Sequence, residues 1–82
     1  EFNVDLETVL WNIGIEVSRA REKHAPMNSP HEGISVLREE FEELWEHVRA
    51  DTGQSAEARK EAIQVAAMAV RYILDLKPGE KS

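Results

Sequence analysis

Glutamates crowd one short stretch of the chain, Glu39-Glu40-Phe41-Glu42-Glu43-Leu44-Trp45-Glu46, and further on Glu61 is followed three positions later by Gln64. Carboxylates three or four residues apart on a helix sit on adjacent turns and can share a hard cation, for which oxygen is the preferred donor. On a wheel of about 100° per residue with Leu37 at zero, the apolar seam centres near +20°, Glu40 near −60° and Glu43 near −120°. Glu40 and Glu43 therefore edge the face expected to be buried. Glu39, Glu42 and Glu46 point to the far side, where glutamates are ordinarily solvated and where Arg38, Arg49 and Lys60 offer ion-pair partners.

Glu61 and Gln64 border the Ala-rich stretch Val65-Ala66-Ala67-Met68-Ala69-Val70. A carboxylate beside so apolar a segment needs a cation or a hydrogen-bond donor. A metal would supply it, and so would Lys60 or Arg71. His47 follows Glu43 by four, not by the three that carboxylate-bridged di-iron bundles use, which excludes that chemistry. Lys23 and His24 close the first helical segment just before His31 opens the second, where free backbone N–H groups favour anions. Lys23, His31 and Arg71 are thus candidates for phosphate contact. The competing reading makes the first two solvated helix ends and pairs Arg71 with Asp75, four residues on. Trp11 suits stacking on a base or, better, a contact between subunits. No phosphate-binding glycine loop is present.

Three helical segments must position these groups. Leu6, Val9, Leu10, Ile13, Val17 and Ala20 recur at steps of three and four, predicting a first helix over 5–24, with Trp11 and Ile15 forming a second small apolar patch on its other side. Ala25-Pro26-Met27-Asn28-Ser29-Pro30 breaks it. Ser29 then reads as an N-cap, Pro30 as the first helical residue and Glu32 as the reciprocal acid of a capping box. The second helix, over 30–50, carries the seam Ile34, Leu37, Phe41, Leu44 and Val48 and stops at Asp51-Thr52-Gly53. Ser55 caps a third helix that runs over 55–76 and ends before Pro78-Gly79. Residues 65–70 are apolar around the whole circumference, and a helix apolar on every side is expected to be buried on every side. Two companions from the same chain cannot surround it. The expected fold is all-α, a single domain over 1–82, whose helices complete a four-helix or larger bundle through homo-oligomerisation, as dimer or tetramer.

Composition narrows the function. Eighty-two residues are a small domain, and folds of this size lean on disulfides, metals or partner subunits. There is no cysteine, which excludes disulfides and thiolate metal sites and fits a cytoplasmic setting. Sixteen acids against ten bases give a net charge of −6 with no basic stripe, which argues against nucleic-acid polymers and membranes as partners. It leaves room for a phosphate ligand bridged by metal ions.

Glu39-Glu40-x-x-Glu43-Leu44 followed by Glu61-x-x-Gln64 resembles the E-E-x-x-E … E-x-x-D pattern of the MazG-like all-α nucleoside triphosphate pyrophosphohydrolases. The surroundings resemble short phage and mobile-element members of that family: His31-Glu32 and Ser35-Val36-Leu37-Arg38 before the acids, and Ile63-Gln64-Val65-Ala66-Ala67-Met68-Ala69-Val70-Arg71 after them. The similarity covers residues 20–76. It implies Mg²⁺, with Mn²⁺ as an alternative, held by Glu40, Glu43 and Glu61, with Gln64 in the fourth place and Glu39 in support. It also implies a catalytic role for Glu39, Glu40 and Glu43 in cleaving a nucleotide substrate to a monophosphate and pyrophosphate. Gln64 departs from the family's aspartate: three carboxylates remain where the pattern has four, so the resemblance implies a weakened enzyme or an inactive relative. The alternative function is a non-catalytic helical homo-oligomer of the same fold that binds a protein or a nucleotide.

Overall fold

The computed structural model describes residues 5–79 as three α-helices: α1, Leu6–Lys23; α2, Pro30–Arg49; and α3, Ala56–Asp75. Each start is fixed by a side-chain cap. Asp5, Ser29 and Ser55 accept hydrogen bonds from the backbone N–H groups of Glu7, Glu32 and Ala58, satisfying donors that the first helical turn leaves open. The return arm of the expected capping box lands one residue early. Glu32 Oε1 accepts from Asn28 N at 2.7 Å, so the acid ties down the α1–α2 connection. At the other end of α2, Asp51 takes a left-handed φ of 64°, and Thr52 N donates to His47 O at 2.8 Å. That 6→1 bond is the Schellman closure, with an aspartate where glycine is usual.

α3 is the axis of the chain. α2 runs antiparallel to it, with Gly33 against Tyr72 near one end and Val48 near the α2–α3 turn at the other. α1 runs beside α3 in the same direction, from a groove shared by Val9, Ile13, Ile63 and Ala66 to the contact of Ala25 with Arg71. No Cα of α1 comes within 8 Å of a Cα of α2. The two outer helices are therefore splayed, and a cleft opens between them over α3. A small core of Val17, Ala20, Ala67 and Met68, flanked by Ile13, Val36, Leu37 and Val70, closes its base.

α2 meets α3 with a face rotated from its apolar seam. The more buried positions are Gly33, Val36, Leu37, Glu40, Leu44 and His47, which centre near −50° on the wheel used above, about 70° from the seam. Glu40 consequently lies within the contact face, while Ile34, Phe41, Trp45 and Val48 are exposed. The expectation that the seam is the buried face is corrected in this respect. Within the single chain α3 is only partly covered, as two companion helices allow: Ala67 and Met68 are buried, and Val65, Ala66, Ala69 and Val70 are half-buried. The radius of gyration, 13.9 Å, exceeds the roughly 12 Å of a compact chain this long, as an open three-helix arrangement should. No helix among the described residues is long and apolar enough to cross a membrane.

Candidate metal centre and adjoining cleft

Glu40 and Glu43 stand three residues apart on α2, and the antiparallel register brings Glu61 of α3 against them. One carboxylate oxygen from each of the three lies within 4.8 Å of the others. Two helices with separate caps thus deliver three like charges to one point. Glu40 and Glu61 are half-buried and Glu43 is exposed, and three carboxylates gathered in this way could share a hard cation. Glu61 Oε1 is buried and has no hydrogen-bond partner.

The protonation equilibria carry the same strain. Burial pushes the Glu40 carboxyl above the ordinary glutamate value of 4.5, and the charges of Glu43, Glu61, Glu39 and Glu16 push it further. Burial also raises Glu61, as do a hydrogen bond with Glu43 and that residue's charge, while His47 and Lys60 oppose the shift. In the ionised state Glu61 has no donor to meet. With one proton taken up, it and Glu43 bridge to each other. A divalent cation would do the proton's work better, because it satisfies all three carboxylates at once. The donor set, three oxygens with no sulfur or imidazole, suits a hard ion such as Mg²⁺ rather than a soft one.

The cleft beside this cluster has a volume of about 630 Å³. Its α1 wall carries Glu16, Arg19, Ala20 and Lys23, a single helical stripe; Val36, Glu39 and Glu40 face it from α2, and Gln64, Met68 and Arg71 form the floor. Glu40 is therefore shared between cluster and cleft. Gln64 lies one turn beyond Glu61 and lines the cleft, which Glu43 and Glu61 do not. Glu39, expected in support, lines the cleft as well.

The three residues singled out for phosphate contact fare differently. Lys23 lines the cleft and is exposed. His31 is exposed but is not among the cleft's lining residues. Arg71 is at the floor, only 4% exposed, and its guanidinium is largely engaged: Nη2 donates to Ala25 O at 3.0 Å and stands 3.8 Å from Asp75 Oδ2, while Nη1 reaches Met68 Sδ at 3.6 Å. The pairing with Asp75 read from the i,i+4 spacing is present. Two residues that sequence reasoning passed over, Glu16 and Arg19, also face the cleft. Their signal was available: with Ala20 and Lys23 they complete an i, i+3, i+4, i+7 stripe on α1.

Comparison with models of known protein families, with curated proteins and with solved structures finds no match. The functional reading therefore rests on the residues and their geometry.

Proposed function

We propose that the chain is a Mg²⁺-dependent nucleotide pyrophosphohydrolase, cleaving a nucleoside triphosphate or related nucleotide to a monophosphate and pyrophosphate. The observation that carries this reading is the meeting of Glu40, Glu43 and Glu61, each offering an oxygen within 4.8 Å of the others, at the edge of a cleft wide enough for a nucleotide. Their spacing resembles the metal-binding motif of the MazG-like enzymes, and they are the same three residues that the resemblance selects.

In this reading Glu40, Glu43 and Glu61 hold the metal, Gln64 gives a neutral oxygen in the fourth place, and Glu39 orients the α2 ligands. Bound there, Mg²⁺ supplies neutralisation of phosphate charge and activation of a water for attack on the α-phosphorus. The chain's own contribution is positional. Two capped helices fix the ligands, and the splay of α1 from α2 admits the substrate. Glu40 and Glu61, half-buried and raised above the ordinary glutamate value, would gain most from a counter-charge. Gln64 leaves the site one formal charge short of the motif's four carboxylates, so its affinity for a free ion would be low and retention of the metal would depend on the substrate's phosphates.

The second reading, a non-catalytic helical oligomer that binds a nucleotide or protein, is favoured by Gln64 alone. Incubation with a panel of nucleoside triphosphates and Mg²⁺ or Mn²⁺, assayed for pyrophosphate, separates the two. Release that is abolished by Glu40→Gln or Glu43→Gln, with helicity retained, supports the enzyme. Absence of release from both the wild type and Gln64→Asp discards it.

A further inference from the structure

We infer that the end of the cleft nearest the α1–α2 connection is an anion subsite, made by Arg19, Lys23 and His24 above Arg71, which takes the terminal phosphates of a polyphosphate chain. The inference rests on the nucleotide reading for the identity of its ligand, but its evidence is separate from the carboxylate cluster.

The charges lining the cleft are segregated along its length. α1 and α2 run in opposite directions on either side of it, so the residues nearest their connection face each other at one end. Glu16 lies toward the other end, opposite Glu39 and Glu40 and with Gln64 below, and its charge reaches Glu40. At the connection end the wall is Lys23 and His24, with Arg71 on the floor, and Arg19 sits between the two ends. Glu32 is the acid lining this end; Asn28 N donates to its Oε1 at 2.7 Å, which holds the carboxylate at the connection without neutralising its charge. Arg19 reaches Glu16 only at 3.5 Å with its side chain largely in solvent, so it is free to swing toward a stronger anion.

Arg71 supplies the independent sign of a ligand. Its side chain is 5% exposed, and its Nε is buried without a hydrogen-bond partner, on a residue that lines the cleft. A buried N–H left unmade is costly, and although Asp75 already balances the guanidinium's charge at 3.8 Å, Nε keeps its capacity for an acceptor. From Glu61 in the cluster to Arg71 is ten residues, roughly 15 Å of helix, a span longer than a triphosphate, which the flexible, exposed side chains of Arg19 and Lys23 must reach across. A nucleotide laid along it presents its α-phosphate to the carboxylate cluster and its outer phosphates to the basic end. Metal and basic side chains then divide the negative charge between them, which explains how a chain of net charge −6 accepts a polyanion. The arrangement also assigns a direction: the leaving pyrophosphate departs at the α1–α2 connection.

The test uses inorganic triphosphate, titrated calorimetrically into the intact chain in EDTA at low ionic strength, so that metal binding plays no part. The expected result is measurable binding that weakens with added salt and falls by about tenfold or more in Arg19→Gln/Lys23→Gln, both exposed positions whose change leaves the helical spectrum intact. Arg49→Gln, on the distant end of α2, serves as control and retains wild-type affinity. No binding by the wild type, or equal affinity in the double variant, overturns the subsite. Triphosphate binding lost in the double variant, in a protein that releases no pyrophosphate from any nucleotide, supports the subsite and removes only the enzymatic reading. Pyrophosphate release with unchanged KM in the double variant does the reverse.

Discussion

Arg71 and Asp75, one turn apart on α3, hold the α1–α2 connection from two sides: Arg71 Nη2 donates to Ala25 O, and Asp75 Oδ2 accepts from Met27 N, both at 3.0 Å. Met27 is itself 3% exposed, so the connection is anchored by a buried side chain as well as by these two bonds. Both charged side chains are nearly enclosed. Removing one partner leaves the other as a buried charge, a change that destabilises by about 3–5 kcal/mol. Asp75→Ala is therefore expected to lower the midpoint of thermal unfolding sharply, and Asp75→Asn, which can still accept from Met27 N, to do so less. Circular dichroism melts check the order. A melt of Asp75→Ala that matches wild type would show the pair to be idle.

The raised carboxyls give a pH dependence of definite sign. Glu40 and Glu61 bind protons more readily in the folded chain than at the ordinary value of 4.5. Their contribution to stability is thus fully present below about 4.5 and is lost as pH climbs through their raised folded values. Neutralising Glu40 by Glu40→Gln should stabilise the metal-free protein at pH 7 and make no difference at pH 4. Denaturant unfolding in EDTA at the two pH values measures this. Greater loss at pH 7 than at pH 4 contradicts the assignment.

Metal addition should act in the opposite sense. Mg²⁺ that binds the folded chain alone raises stability by mass action, and its competitor at the site is the proton. The upward shift in melting temperature on adding Mg²⁺ is expected at pH 7 and to vanish at acidic pH. EDTA should reverse it. Gln64→Asp adds a fourth carboxylate and should tighten Mg²⁺ binding by about tenfold, read as the same thermal shift reached at lower metal concentration.

Much of this organisation was legible in the residues. Helix boundaries came within a residue of their observed positions because proline, serine caps and apolar periodicity all act locally. The convergence of Glu40, Glu43 and Glu61 was legible too, since helix spacing fixes the first two and the motif points to the third. What periodicity could not show was the rotation of α2. The wheel centres on the most apolar residues, whereas contact with α3 is set by where backbones can approach, and Gly33 lets Tyr72 lie against α2. A Cβ on Gly33 would come within 2.5 Å of Tyr72 Cδ2. Close approach there turns Glu40 into the contact and turns Phe41 out. The burial of Arg71 was likewise hidden, because its acceptor, Ala25 O, is 46 residues away in sequence.

That approach is open to a direct check. Gly33→Ala forces a methyl group into the Tyr72 ring, and overpacking of this kind destabilises by about 1–3 kcal/mol. The expected result is a lower melting temperature, with weakened Mg²⁺ response as α2 is pushed from α3. Partial rescue by Gly33→Ala/Tyr72→Leu would identify the ring as the obstacle. A Gly33→Ala protein as stable as wild type would mean that α2 does not sit this close.

The rotated face leaves Ile34, Phe41, Trp45 and Val48 as a stripe on one side of α2, with Phe41 57% exposed and Trp45 47%. On α1, Leu10 and Trp11 are exposed as well. The described residues include no large side chain that is fully buried, and a small domain with such an exposed apolar stripe commonly draws stability from a partner subunit. The expectation is a dimer or tetramer by sedimentation equilibrium at micromolar concentration, with a melting temperature that rises with protein concentration. Phe41→Glu/Trp45→Glu should dissociate it and lower its melting temperature, because both charges fall on the exposed apolar stripe of α2. A monomeric wild type with a concentration-independent melt would require these three helices to be stable with that stripe in water, and the bundle read from the sequence would have to be abandoned.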